Sequence, residues 1–160
     1  AQNMGAGDVS RIRQGFKAST IIGIIYAVVS AVLVMTVGKY MTYLFVSEDV
    51  ALIMDSVNTY LICVGIFFIP LAIVNIYRNG IQGLGYGLLP MMAGVAELVG
   101  RGAVAVIAAG RKSYLGVCLA SPAAWILASL LLIGMYYYVV KIDLKKIFPD
   151  KYAGNEKQSS

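Results

Sequence analysis

The chain has no histidine, only two cysteines, and few charges: Asp, Glu, Lys and Arg together make up 13% of its 160 residues. Without histidine there is no Ser-His-Asp triad, no H-E-x-x-H zinc site and no imidazole proton relay. Cys63 and Cys118 stand far apart, outside any C-x-x-C spacing, so packing is the reading for both. The sequence holds no metal-ligand cluster and no cofactor motif, and an enzyme is not expected. The scarcity of charge excludes more. A typical soluble domain is roughly a quarter charged, and a globule of this length still leaves much of its surface in water. With 59% apolar residues, this chain needs the lipid bilayer as part of its solvent.

What is present is a set of long uncharged runs. Residues 18–38, 56–77 and 113–140 carry no charge at all, and each is long enough to cross a hydrocarbon core of about 30 Å as a helix. Residues 90–110 have the right length but contain Glu97 and Arg101; counted as a span, they bring the total to four. The expected fold is all-α and integral to the membrane. A polar segment, 1–17, leads into the spans, and a polar tail, 141–160, follows them. The opening Ala1-Gln2-Asn3 reads as a loop continuing from a longer polypeptide.

Local signals punctuate these runs. Asp55 or Ser56 is placed to cap the second span. Pro70 should bend that span, because proline removes a backbone hydrogen bond and its ring strikes the preceding turn. Gly83 and Gly85, with Gly80 and Gly87, make the next connection a flexible hinge or a close helix crossing. Pro90 suits a first helical position. The glycine run lacks G-x-G-x-x-G spacing and follows no strand, so it is not read as a nucleotide loop.

Net charge is +5, which topology explains better than nucleic acid does. With four spans, Arg11, Arg13, Lys17, Arg78, Lys141, Lys145, Lys146, Lys151 and Lys157 share one side. Lys39, Arg111 and Lys112 share the other, with Glu48, Asp49 and Asp55. Basic loops face the cytoplasm, which puts both ends of the chain there. Tyr77, Tyr86 and Tyr136 to Tyr138 fall at that inner boundary, and Tyr40, Tyr43, Phe45 and Tyr114 at the outer one.

The polar residues inside spans are the functional candidates. Glu97 and Arg101 are four apart, so they share a helical face with the acid in the favourable N-terminal place. Counted from Pro90, they lie about 10 Å and about 16 Å into the span. A lone charge there costs roughly 2.5–3.5 kcal/mol, so the pair must face protein or water. It reads either as part of an ion or substrate pathway or as a clasp between helices. Asn75 reads either as a pathway lining or as a helix–helix hydrogen-bonding group. Small residues at Gly94, Gly100, Gly102, Ala105 and Ala109 suit close packing of the third span.

Several stretches together resemble one family. Ala1-Gln2-Asn3-Met4-Gly5-Ala6-Gly7-Asp8, with Arg11 and Gly15, is similar to the cytoplasmic loop in the C-terminal lobe of multidrug and toxic compound extrusion (MATE) transporters. Tyr60-Leu61, Arg78-Asn79-Gly80-Ile81-Gln82-Gly83-Leu84-Gly85 and Pro90-Met91 resemble the next two helices of that lobe. Glu97 to Arg101 and Ala120 to Trp125 are similar to a bacterial branch. The resemblance implies twelve helices in two pseudo-symmetric six-helix lobes, of which this chain is helices nine to twelve; the remaining eight helices are its partners. It also implies export of small organic cations and other amphiphiles by alternating access, driven by a proton or sodium gradient. Some members carry an acidic cation ligand in the tenth helix; residues 56–77 contain no carboxylate, so no cation-site residue carries over. A lipid-linked saccharide flippase shares the superfold. The rival reading is a complete four-helix membrane protein, either a small oligomeric transporter or a non-transporting assembly partner.

Overall fold

A computed structural model describes residues 1–43 and 50–149; the acidic turn at Glu48 and Asp49, Phe45 and the tail from 150 lie outside the described residues. Those described form helices: α1 (Gln2–Gly5), α2 (Val9–Thr42), α3 (Val50–Ile66), α4 (Phe68–Gly83), α5 (Leu88–Gly110), α6 (Tyr114–Cys118) and α7 (Ala120–Tyr137). A π-helical turn (Tyr138–Asp143) and α8 (Leu144–Ile147) follow. Three stretches are long and apolar enough to cross a membrane: Val9–Gly38, Leu88–Gly110 and Tyr114–Ile147. The pair Ile53–Ile66 and Phe68–Gly83, bent by 48°, meets the same criteria only when the two are taken together as one broken span.

The first helix starts well before residue 18, which corrects the reading of 1–17 as a loop. Asp8 caps α2, its Oδ1 accepting from the Arg11 amide at 3.0 Å, so the helix begins at Val9. Val9, Ile12 and Phe16 then recur at helical spacing and are buried, while Arg11, Arg13 and Lys17 stay exposed. At 34 residues, α2 is about 51 Å long and overhangs the hydrocarbon layer.

The second span also departs from expectation. Its helix begins by Val50, since the apolar run before Asp55 continues the same helix. Asp55 and Ser56 therefore lie inside α3 rather than capping it, and the span holds an exposed carboxylate after all. The break falls at Phe67, between α3 and α4. Pro70 cannot donate to Ile66, and its ring crowds that carbonyl, so the helix parts at the turn preceding the proline. Beyond α4, Gly85 adopts φ +96°, a conformation suited to glycine. A Cβ added there would meet nothing within 4 Å, and at Gly83 only Ala1 N at 3.9 Å, so a tight helix crossing is not what these glycines serve. Pro90 is buried at the third position of α5, which starts at Leu88, rather than at the first.

α7 packs most closely against α5 and α4, and α2 against α4 and α3. The largest buried cluster gathers at the basic end of the bundle: Val9, Ile12 and Phe16 of α2, Ile81 of α4, Leu84, and Val139, Val140 and Leu144 past α7. Phe16, Tyr77 and Tyr136 close this end as a mutual aromatic trio, with ring centroids 4.6–5.4 Å apart.

A second tie holds the same end. Tyr86, in the connection after α4, donates its hydroxyl to Asp143 Oδ2 at 2.6 Å. Burial first, and then the bond to Asp143, push the Tyr86 phenol up to about 12 from its usual value near 10. A phenol raised on folding adds stability that is complete below pH 10 and lost as pH climbs from 10 to 12. A tyrosinate absorbance titration is expected to show one late-ionising tyrosine near pH 12 that disappears in Tyr86→Phe. An unchanged titration in that variant would argue that the bond does not form.

Candidate functional site

Glu97 sits on α5, its side chain only 14% exposed, and each of its oxygens is held by a guanidinium. Arg101 Nη2, one turn further along, lies 2.7 Å from Oε1. Arg78 Nη2, from α4, lies 2.7 Å from Oε2. Arg78 Nη2 passes beside Gly94, 4.0 Å from where a Cβ would stand. Arg78 Nε is buried and, among the described residues, has no hydrogen-bond partner. Charged hydrogen bonds of this length are among the stronger ones available to a fold. The trio carries one negative and two positive charges within the membrane-spanning helices, and it ties α4 to α5.

Arg78 was legible only as an inner-side charge. The signal lay in its spacing: Arg78 and Glu97 flank the glycine-rich connection, and α4 and α5 return past each other as a hairpin, which can bring two such positions together.

Asn75 lies away from this trio. Its amide donates to the Leu71 carbonyl of its own helix at 2.9 Å, and among the described residues its side chain bonds no other helix. It lines a groove of about 480 Å³ between α2 and α4, whose walls include Tyr26, Ala27, Ser30, Phe68 and Ile76. That is the size and character of a small-molecule pocket: apolar walls with a few polar groups. Met91 and Met92 are exposed on α5. Cys63 and Cys118 are both free thiols, and Cys118 is buried. Of the small residues on α5, Gly100 meets Leu127 of α7, with 3.1 Å between an added Cβ and Leu127 Cδ2, while Gly102 faces open space.

Long apolar helices with their inner charges gathered into one internal trio define a multi-pass membrane protein. The model of the family described as MatE matches residues 1–107, about two thirds of the chain, from α1 through most of α5. The chain belongs to the MatE family, whose members are membrane-embedded transporters that extrude multidrug and toxic compounds. No curated protein and no solved structure matches it.

Proposed function

We propose that this chain supplies helices nine to twelve of a twelve-helix exporter that moves organic cations or other amphiphiles out of the cell by alternating access. A proton or sodium gradient drives the exchange, and the basic end of the bundle, with both chain ends, faces the cytoplasm. Membership of the family supports the reading, and the observation that carries it is the α2–α4 groove. An amphiphile needs a large apolar contact area and little polar anchoring, and the groove offers Asn75, Ser30 and Tyr26 within apolar walls. The Arg78–Glu97–Arg101 trio keeps α4 and α5 together while access alternates. Coupling equals the difference in affinity that ion and substrate show for the two access states.

The test is efflux of a fluorescent organic cation from an efflux-deficient host that expresses the polypeptide carrying this chain. Asn75→Leu should lower efflux by about tenfold at unchanged expression, the scale of one lost polar contact. Full efflux from that variant would remove the groove from the pathway. Glu97→Gln keeps the side chain's shape but not its charge. It should also slow gradient-driven efflux where expression is normal; an unchanged rate would confine Glu97 to holding the helices.

A further inference from the structure

A second groove, of about 250 Å³, opens on the basic end of the bundle where α2, α4 and α7 meet. We propose that it holds the phosphate head of an acidic membrane phospholipid, with an acyl chain laid along α2. Three observations converge. Arg13, Lys17 and Thr20 of α2 line the groove with Tyr77 of α4 and Tyr136 of α7. Arg13 and Lys17 are one turn apart and thus share a face, and two cations converging beside tyrosines at the membrane boundary suit a lipid phosphate.

The same face of α2 then changes character with depth. Past Thr20 it continues through Ile21, which also lines the groove, to Val28, and both are about half exposed. Charge, then a polar group, then hydrocarbon matches a phospholipid's order of phosphate, ester and acyl chain. Because α2 begins at Val9, its first turns reach beyond the hydrocarbon layer and set Arg13 and Lys17 at headgroup height.

Charge also separates this groove from the proposed transport pathway, since two cations repel an organic cation. Lys141 adds to the field from nearby: its Nζ stands 5.3 Å over the Tyr137 ring, which packs against Tyr136 at 5.8 Å.

The test is native mass spectrometry of the polypeptide that carries this chain, released from detergent micelles doped with phosphatidylglycerol or phosphatidylcholine. One phosphatidylglycerol should be retained in preference to phosphatidylcholine. Arg13→Gln/Lys17→Gln should weaken retention by about 30-fold, at about fivefold per basic residue. Lys145→Gln/Lys146→Gln removes the same charge from the same end outside the groove and should leave retention unchanged. Equal losses in the two double variants would mean diffuse attraction and would overturn the site, as would full retention in Arg13→Gln/Lys17→Gln. Displacement of the lipid by inorganic phosphate at millimolar concentration would overturn its assignment to a lipid.

Discussion

Replacing Glu97 with alanine is expected to destabilise the bundle by about 2–3 kcal/mol. Removing one member of a buried charge pair typically costs about 3–5 kcal/mol, because the partner is left charged and unpaired. The lower figure applies because Arg78 and Arg101 are 29% and 44% exposed, and solvent reaching them weakens the effect. Two guanidiniums would nonetheless face each other without their shared acceptor. Arg101→Ala should cost under about 1 kcal/mol, since Glu97 keeps Arg78 and the lost arm is half exposed. Arg78→Met/Glu97→Leu should be milder than Glu97→Ala alone, because it leaves only the half-exposed Arg101 without its acceptor rather than both guanidiniums. Thermal midpoints followed by fluorescence-detected size exclusion in detergent would rank the three. A Glu97→Ala variant no weaker than Arg101→Ala would refute the clasp.

Gly80→Leu should cost a similar amount, about 2–3 kcal/mol. A Cβ at Gly80 would fall on the Phe16 ring, 2.5 Å from Cε1, and that ring has little room to retreat. It is 8% exposed and packed against Tyr77 and Tyr136. Overpacking a filled core costs about 1–3 kcal/mol, and leucine adds further bulk to the clash. Phe16→Ala should partly rescue the variant by vacating the space. Gly23→Ala is the control. Its new Cβ would strike the Cδ1 end of Ile76, which can swing aside, and would otherwise make ordinary contacts with Ile76 Cγ1 at 3.5 Å and Ala72 Cβ at 3.9 Å; exchanging a mid-helix glycine for alanine gains up to about 1 kcal/mol. Equal midpoints for Gly80→Leu and Gly23→Ala would show that the aromatic trio yields easily.

The four apolar runs were readable because bilayer thickness imposes its length on any chain that crosses it. A turn between Glu97 and Arg101 was readable because helical spacing is local. What escaped depends on how helices rotate against one another. Arg78 looked like a charge marking the inner side, yet it reaches across to Glu97 only because α4 and α5 return past each other. The early start of α2 was hidden by Arg11, Arg13 and Lys17, whose charge suggested a loop; the cue was Asp8, a capping residue followed by apolar residues at helical spacing. Asn75 could have bonded a neighbour or its own helix, and the sequence alone does not separate those geometries. Asp55 was set at the boundary of its span because hydropathy gives no sharp start to a helix that continues past its apolar core.

The π-helical turn at Tyr138–Asp143 acts as a gear change in the register of the last helix. At about 100° per residue, an unbroken α-helix would set Leu144 about 120° around the axis from Leu132. Both are fully buried, because each residue in the wider turn advances less around the axis and the angular debt is repaid there. A periodicity counted straight through would place Leu144 off the buried face. On either side of Tyr138 the face must therefore be counted afresh, as though the chain held one residue that belongs to neither register.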